Sequence, residues 1–133
     1  MKPDITTRND IEILVAYFYG KLLSDEVLQN IFQNTVMEHL RKHLGTIADF
    51  WDSILLDSNV YRGNVTEAHY QVDKHFPMNK TEFEHWLLHW KSSVDELYEG
   101  EKAEMAKYRA QTIADIMQYK LDYVRKIREE QTE

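Results

Sequence analysis

The 133-residue chain contains no cysteine. This absence excludes disulfide bonds, thiolate zinc sites and iron–sulfur clusters. The chain also lacks a basic surplus: its formal net charge is −7, and binding to nucleic acid would require a basic surface, so we expect no nucleic-acid partner. No apolar run approaches the roughly 18 residues of a membrane span, and no signal peptide is apparent. We therefore expect a cytoplasmic protein that does not enter the membrane.

Only four glycines and two prolines interrupt the chain, which predicts long helices and few tight turns. The length is that of one domain, and no repeat, linker or composition change divides it. We expect a single domain over residues 1–133, with frayed tails at about residues 1–8 and 129–133. No stretch alternates in polarity as a strand does, so the sequence predicts an all-α fold.

Apolar residues recurring at helical spacing predict five helices. We place them at about residues 10–23, 25–33, 36–56, 80–99 and 101–130. Thr7 and Asn9 are candidate N-caps of the first helix, and Gly100 is expected to end the fourth. The last helix is expected to face the core with its larger apolar side chains, which are Met105, Ile113, Ile116, Tyr123, Val124 and Ile127.

Six histidines are the main supply of metal ligands in this sequence. His85 and His89 are four residues apart, a spacing that can chelate one metal ion from a single helix face. They lie nearly opposite the apolar stripe of their helix, so we expect them to face water. His43 instead lies within the apolar stripe of the third helix. Its spacing leaves two interpretations equally open, a buried core histidine and a functional one.

Several motifs in order resemble the group III truncated haemoglobins, over about residues 11–122. They are Phe18-Tyr19-Gly20-Lys21 in the first helix, His43 six residues before Asp49-Phe50-Trp51, Tyr61-Arg62-Gly63 followed by His69, and Phe83 with Trp86. Each motif is weak alone, but their order and spacing together are specific. The resemblance implies a truncated globin-like 2-on-2 helical sandwich that holds haem b noncovalently.

The resemblance also implies a role for each matched residue. His69 would be the proximal ligand and coordinate the iron through Nε2. Tyr19, His43 and Trp86 would occupy the distal positions, where all three side chains can donate hydrogen bonds. The candidates for further contacts with the haem are Phe32, Ile47, Phe50, Trp51 and Arg62. Arg62 is proposed by charge alone, as a partner of the propionates.

The family implies binding of a diatomic gas such as O2, NO or CO. Three distal donors suit nitric oxide dioxygenation or peroxidase-like chemistry better than oxygen storage, because strong hydrogen bonds slow release. Either activity would need a separate reductase, since the sequence carries no flavin or nicotinamide module. Two alternatives stay open: a haem-based sensor or redox module, and a haem-free helical protein that binds zinc through surface histidine pairs such as His85 and His89.

Overall fold

The computed structural model describes residues 1–28, 37–61, 63 and 79–132. Four helices occupy most of these residues: α1 (Arg8–Leu23), α2 (Met37–Leu55), α3 (Lys80–Leu97) and α4 (Glu101–Thr132). The described residues contain no strand, which confirms the all-α prediction. Four of the five predicted helices lie within two residues of their predicted ends. Most of the remaining one, at about 25–33, lies outside the described residues. A search of the described helices finds none long and apolar enough to span a membrane.

Local hydrogen bonds explain where the helices begin and end. Thr7 caps α1, since its side chain accepts from the Asp10 N–H while the Asp10 carboxylate accepts from the Thr7 N–H. Asn9 lies inside α1, so its prediction as a cap was wrong. Gly100 separates α3 from α4, as predicted, and its φ of 141° is a backbone conformation that favours glycine.

The helices pack as two pairs. α1 contacts α2, α3 contacts α4, and α1 packs across α3, with a smaller contact between α2 and α4. Where the pairs meet, the rings of Trp51 and Trp90 stack with centroids 4.5 Å apart. The Trp90 indole N–H donates to the Ala106 carbonyl over 3.1 Å. Two large aromatic side chains therefore fill the centre of the molecule.

α4 uses small residues where it meets this centre. Its most buried residues are Ala103, Ala106, Ala110, Ala114, Met117 and Leu121. The prediction that Met105, Ile116 and Tyr123 face the core was wrong, because all three are exposed. Alanine lets the backbone of α4 approach the indole of Trp90 closely, and larger side chains would hold the two helices apart.

The N-terminal segment is held against the second helix pair. Ile5 is fully buried, and the Asp4 carboxylate accepts from the backbone N–H groups of Lys102 and Ala103. The Glu99 N–H also donates to the Pro3 carbonyl over 2.9 Å. Pro3, Asp4 and Ile5, within the tail that we expected to be frayed, are thus held by specific contacts. At the other end, α4 continues as helix through Thr132.

A salt bridge ties the start of α1 to α2. The Arg8 guanidinium lies 2.7 Å from the Asp49 carboxylate and 3.1 Å from that of Asp52, whose side chain is largely buried. Burial alone would lower the pKa of Arg8, but the hydrogen bonds to these carboxylates outweigh it and raise the pKa. Asp49, the first residue of the Asp-Phe-Trp motif, thus has a structural partner on α1.

Candidate functional site

α2 presents two apolar faces with different surroundings. Ala48, Trp51 and Leu55 are buried against the rest of the core. The neighbouring face, formed by Ile47, Phe50 and Ile54, is only half buried. This face begins one turn after His43, at the spacing of a single helical stripe. The apolar pattern that predicted α2 therefore includes a stripe that the described part of the protein leaves partly open.

A groove of about 270 Å³ lies between this open face and α4. Phe50 and Ile54 line one wall, and the other wall consists of Arg109, Thr112, Ile113, Ile116 and Met117. The lining is mostly apolar, with Arg109 as a cationic member. Such a lining suits a mostly apolar ligand, and Arg109 could pair with an anionic group on it.

The segment after α2 folds back onto the same face. The ring of Tyr61 contacts that of Phe50 edge to face, with centroids 5.3 Å apart. The Tyr61 N–H donates to the Ser53 hydroxyl over 2.9 Å. These contacts place Tyr61, the first residue of the Tyr61-Arg62-Gly63 motif, beside Phe50.

A polar pair lies where α1 meets α2. The Tyr19 hydroxyl is 2.6 Å from Nε2 of His43, and Tyr19 is buried while His43 is exposed. Burial raises the pKa of Tyr19, so its phenol keeps its proton throughout the ordinary pH range. Tyr19 is thus a neutral hydroxyl that can donate a hydrogen bond, and His43 is its solvent-exposed partner.

Trp86 joins this pair through an aromatic contact. The ring of Phe18 makes edge contacts with Tyr19 at 5.4 Å and with Trp86 at 5.9 Å. Trp86 is half buried on α3, and Phe18 is buried on α1. The three residues predicted for the distal positions, Tyr19, His43 and Trp86, are therefore linked through Phe18 and the Tyr19–His43 hydrogen bond.

Other predicted site residues are placed differently or lie outside the described residues. Trp51 is a core residue that stacks on Trp90 and contacts Phe50 edge to face at 5.2 Å. Its contact with a haem stays a prediction. Phe32, Arg62 and His69 lie outside the described residues, so their assigned roles also stay predictions.

One group of side chains was missed by the sequence analysis. His85 and His89, expected to face water, both bond to Asp25 of the turn that follows α1. The expectation holds only in part: the side chains of His85 and His89 are 37% and 22% exposed, but Asp25 bonds to both rings. The histidine spacing was a signal, but nothing in the sequence pairs it with a carboxylate 60 residues earlier.

Comparisons with known proteins identify the family of this chain. The family model for bacterial-like globins matches residues 4–119. The group 3 truncated hemoglobin ctb of Campylobacter jejuni is 30% identical over 121 residues, which are 89% of this chain and 93% of that protein. A group 1 truncated hemoglobin of Tetrahymena pyriformis is 40% identical over 62 residues, which are 46% of this chain and 49% of that protein.

Two solved structures share the fold. The crystal structure of group III truncated hemoglobin from Campylobacter jejuni matches with a TM-score of 0.81 and 31% identity, over 91% of this chain and 95% of that one. Chlamydomonas reinhardtii THB1 matches with a TM-score of 0.65 over 83% and 88% of the two chains, and at 20% identity it supports the fold alone. From the family model and the relative that covers nearly all of it, this chain belongs to the bacterial-like globin family, as a group III truncated haemoglobin.

Proposed function

We propose that this protein holds haem b against the open face of α2 and binds a diatomic gas beside Tyr19, His43 and Trp86. Membership of the globin family implies a haem cofactor, and globins bind diatomic gases. The sequence contains no cysteine, which excludes thioether attachment, and the resemblance to truncated haemoglobins supports noncovalent binding of the haem. The observation that carries the proposal is the Tyr19–His43 pair at one end of an apolar stripe that is only half buried.

The described residues fit a haem. Phe50 and Ile54 offer the groove a broad apolar surface, and Ile47 extends it toward His43. A porphyrin lying there would cover apolar area that is now half exposed, which is favourable at roughly 25 cal/mol per Å². Arg109 lines the groove and has the charge to pair with a propionate, a role that we also propose for Arg62.

The iron would be held by His69. This assignment rests on the order Tyr61-Arg62-Gly63 followed by His69 and on the contact that brings Tyr61 onto Phe50. We propose that Phe32 and Trp51 add apolar surface around the haem. When bound, haem supplies an iron atom that takes up a diatomic gas.

The distal side chains determine how tightly a gas molecule is held. The Tyr19 phenol is neutral and buried, so it can donate a hydrogen bond to a bound gas where water competes only weakly for it. The Trp86 indole can only donate a hydrogen bond, and it therefore stabilises a polar ligand without removing a proton from it. His43 is exposed, and we propose that it moves to admit the gas.

Several hydrogen-bond donors around one bound gas molecule favour its retention and reaction over its release. We therefore propose that the protein turns over NO to nitrate or acts on peroxide, with electrons from a separate reductase. A cysteine-free chain suits the reducing cytoplasm, where such a reductase would operate. The distal Tyr19–His43 pair favours this proposal over reversible storage of oxygen.

The first test is the absorption spectrum of the protein after reconstitution with haem. We expect one Soret band per chain, which shifts when the sample is reduced with dithionite under CO. His69→Ala should lose or greatly weaken the band, whereas the control His85→Ala should keep it. A wild-type protein without a stoichiometric band would contradict the proposal.

A second test addresses turnover. The oxygenated protein is mixed with one equivalent of NO, and nitrate is measured after a single turnover. We expect nitrate in nearly stoichiometric yield. Release of O2 without nitrate would rule out NO dioxygenation and leave the peroxidase-like activity to be measured.

A further inference from the structure

Asp25, His85 and His89 form a compact group where the turn after α1 meets α3. The Asp25 carboxylate oxygen Oδ2 lies 2.8 Å from Nδ1 of His85 and 2.5 Å from Nε2 of His89. One ligand atom from each residue lies within 4.8 Å of the other two. An ionised carboxylate only accepts hydrogen bonds, so both ring nitrogens donate to it in this arrangement.

These three residues are a ligand set that zinc uses. His85 and His89 project from successive turns of α3, and Asp25 closes the group from the turn after α1. Two imidazole nitrogens and one carboxylate oxygen match zinc sites with three protein ligands and a water molecule. Ligand atoms around a tetrahedral zinc lie about 3.3 Å apart, given bonds of about 2.0 to 2.1 Å. Small side-chain rotations would therefore open enough room for the ion.

The carboxylate is already held in position. Its other oxygen, Oδ1, accepts from the Val27 N–H over 2.8 Å, which turns Oδ2 toward the histidines. The Asp25 N–H donates to the Leu22 carbonyl, and the Leu28 N–H donates to the Asp25 carbonyl. The Asp25 side chain is 10% exposed, whereas those of His85 and His89 are 37% and 22% exposed. The Asp25 carboxylate is thus held in place and largely buried, while the two imidazole rings are partly open to solvent.

We propose that Asp25, His85 and His89 bind one Zn²⁺ ion at a site separate from the haem. Zinc would take the place of the two protons that lie between the imidazole rings and the Asp25 carboxylate. Each neutral imidazole would then carry its proton on its other ring nitrogen. The net charge of −7 favours the approach of a cation. The bound ion would link the end of α1 to α3, the two helices that carry Tyr19 and Trp86.

The site is tested by zinc retention in the haem-loaded protein. Protein is dialysed against buffer with a slight excess of ZnCl2, then against metal-free buffer, and zinc and iron are measured separately. Competition with a chromophoric chelator gives the dissociation constant. We expect one zinc per wild-type chain, independent of the iron content.

The variants preserve the hydrogen bonds while removing the ligands. In His85→Asn an amide replaces Nδ1, and in His89→Gln an amide replaces Nε2, so each can still donate to Asp25. We expect each variant, and Asp25→Asn, to bind zinc at least about tenfold more weakly, as loss of one ligand should. Glu84→Gln is the matched control on α3, where it removes an exposed carboxylate without removing a ligand.

A thermal melt supplies an independent readout. Zinc should raise the melting temperature of the wild type and of Glu84→Gln, because an ion that binds only the folded state stabilises it. It should not raise that of His89→Gln. The proposal is overturned if the wild type retains no zinc, or if the zinc is retained equally by His85→Asn and His89→Gln. Because zinc is measured separately from the Soret band, failure of the haem proposal would leave this result unaffected.

Discussion

Two histidine clusters flank α1, and their partners give them opposite chemistry. His43 pairs with the phenol of Tyr19, whereas His85 and His89 share the carboxylate of Asp25. Burial raises the pKa of Tyr19, so this partner stays neutral. Burial would also raise the pKa of Asp25, but hydrogen bonds from the two histidines and from the Val27 N–H hold it at about 2. The neutral partner suits a gas molecule, and the anionic partner suits a cation.

The clusters also differ in what supports them. Tyr19 packs against the buried ring of Phe18, which itself contacts Trp90 at 5.0 Å. Asp25 instead lies in a turn near the surface, beside the partly exposed side chain of His85. The first cluster thus extends from the core, and the second depends on polar contacts between a turn and a helix. Substitutions in one cluster should therefore differ in size and kind of effect from substitutions in the other.

The largest effect is expected from the residue that joins the first cluster to the core. Phe18→Ala removes a buried ring and leaves a cavity, and should lower the free energy of unfolding by about 3 to 5 kcal/mol. Urea unfolding followed by circular dichroism measures the change. Tyr108→Ala is the control, an aromatic truncation at an exposed position of α4, expected to cost under about 1 kcal/mol. Equal losses would show that Phe18 does not anchor the cluster.

The next effect is on ligand dissociation. Tyr19→Phe removes the buried hydroxyl and should increase the rate of O2 dissociation about ten- to hundredfold, the equivalent of one hydrogen bond to a polar guest. Stopped-flow displacement by CO measures this rate. Tyr17→Phe, an exposed tyrosine on the same helix, should leave it unchanged. If Tyr19→Phe releases O2 at the wild-type rate, Tyr19 does not stabilise the ligand.

The second cluster should give stability that depends on acid pH. The pKa of Asp25 is lower in the folded protein than its ordinary value, so its contribution is present above about pH 4 and is lost as the pH falls toward 2. The stability gap between wild type and Asp25→Asn should therefore shrink by about 2 kcal/mol between about pH 5 and the fully protonated limit. Urea unfolding at several pH values measures this gap.

The control variant for this experiment is Asp115→Asn, which alters an exposed carboxylate on α4. Its stability should not differ from that of the wild type in a comparable pH-dependent way. A gap for Asp25→Asn that stays constant with pH would mean that the ionised carboxylate does not stabilise the fold.

The smallest effect is expected at His43. Because this residue is exposed at the edge of the distal pair, His43→Leu should change the rate of CO association by about two- to fivefold, under about 1 kcal/mol. Flash photolysis of the CO complex measures rebinding directly. His89→Gln should leave the rate unchanged, since it alters only the second cluster. Unchanged rebinding in His43→Leu would end the proposal that His43 admits the gas.

Local patterns predicted the helices well, but predicted their buried faces unevenly. In α1 the large apolar residues that recur at helical spacing are buried: Ile11, Leu14, Val15, Phe18 and Leu22. In α4 the large residues of the predicted stripe are partly or fully exposed, and alanines are buried instead. Periodicity identifies an apolar face, but the close approach of Trp90 to α4 depends on a neighbouring helix that periodicity does not describe.

The candidate site was likewise predicted only in part from the sequence. Tyr19, His43 and Trp86 were predicted from the family resemblance, whereas helical spacing alone left the role of His43 undecided. The structure links all three through Phe18 and a hydrogen bond of 2.6 Å. Asp25 was not predicted at all, because a pairing across 60 residues has no local signature.

Local spacing, caps and the scarcity of glycine and proline are enough to predict the helical class and the approximate helix bounds. The absence of cysteine likewise excludes attachment of a haem through cysteine thioether bonds. Which apolar face of α2 stays half open, and which partner each histidine receives, follow only from the way the helices pack. Those outcomes depend on contacts between segments far apart in the chain. Such contacts place His43 beside a phenol that burial keeps neutral, and His85 and His89 beside a carboxylate that their hydrogen bonds keep ionised.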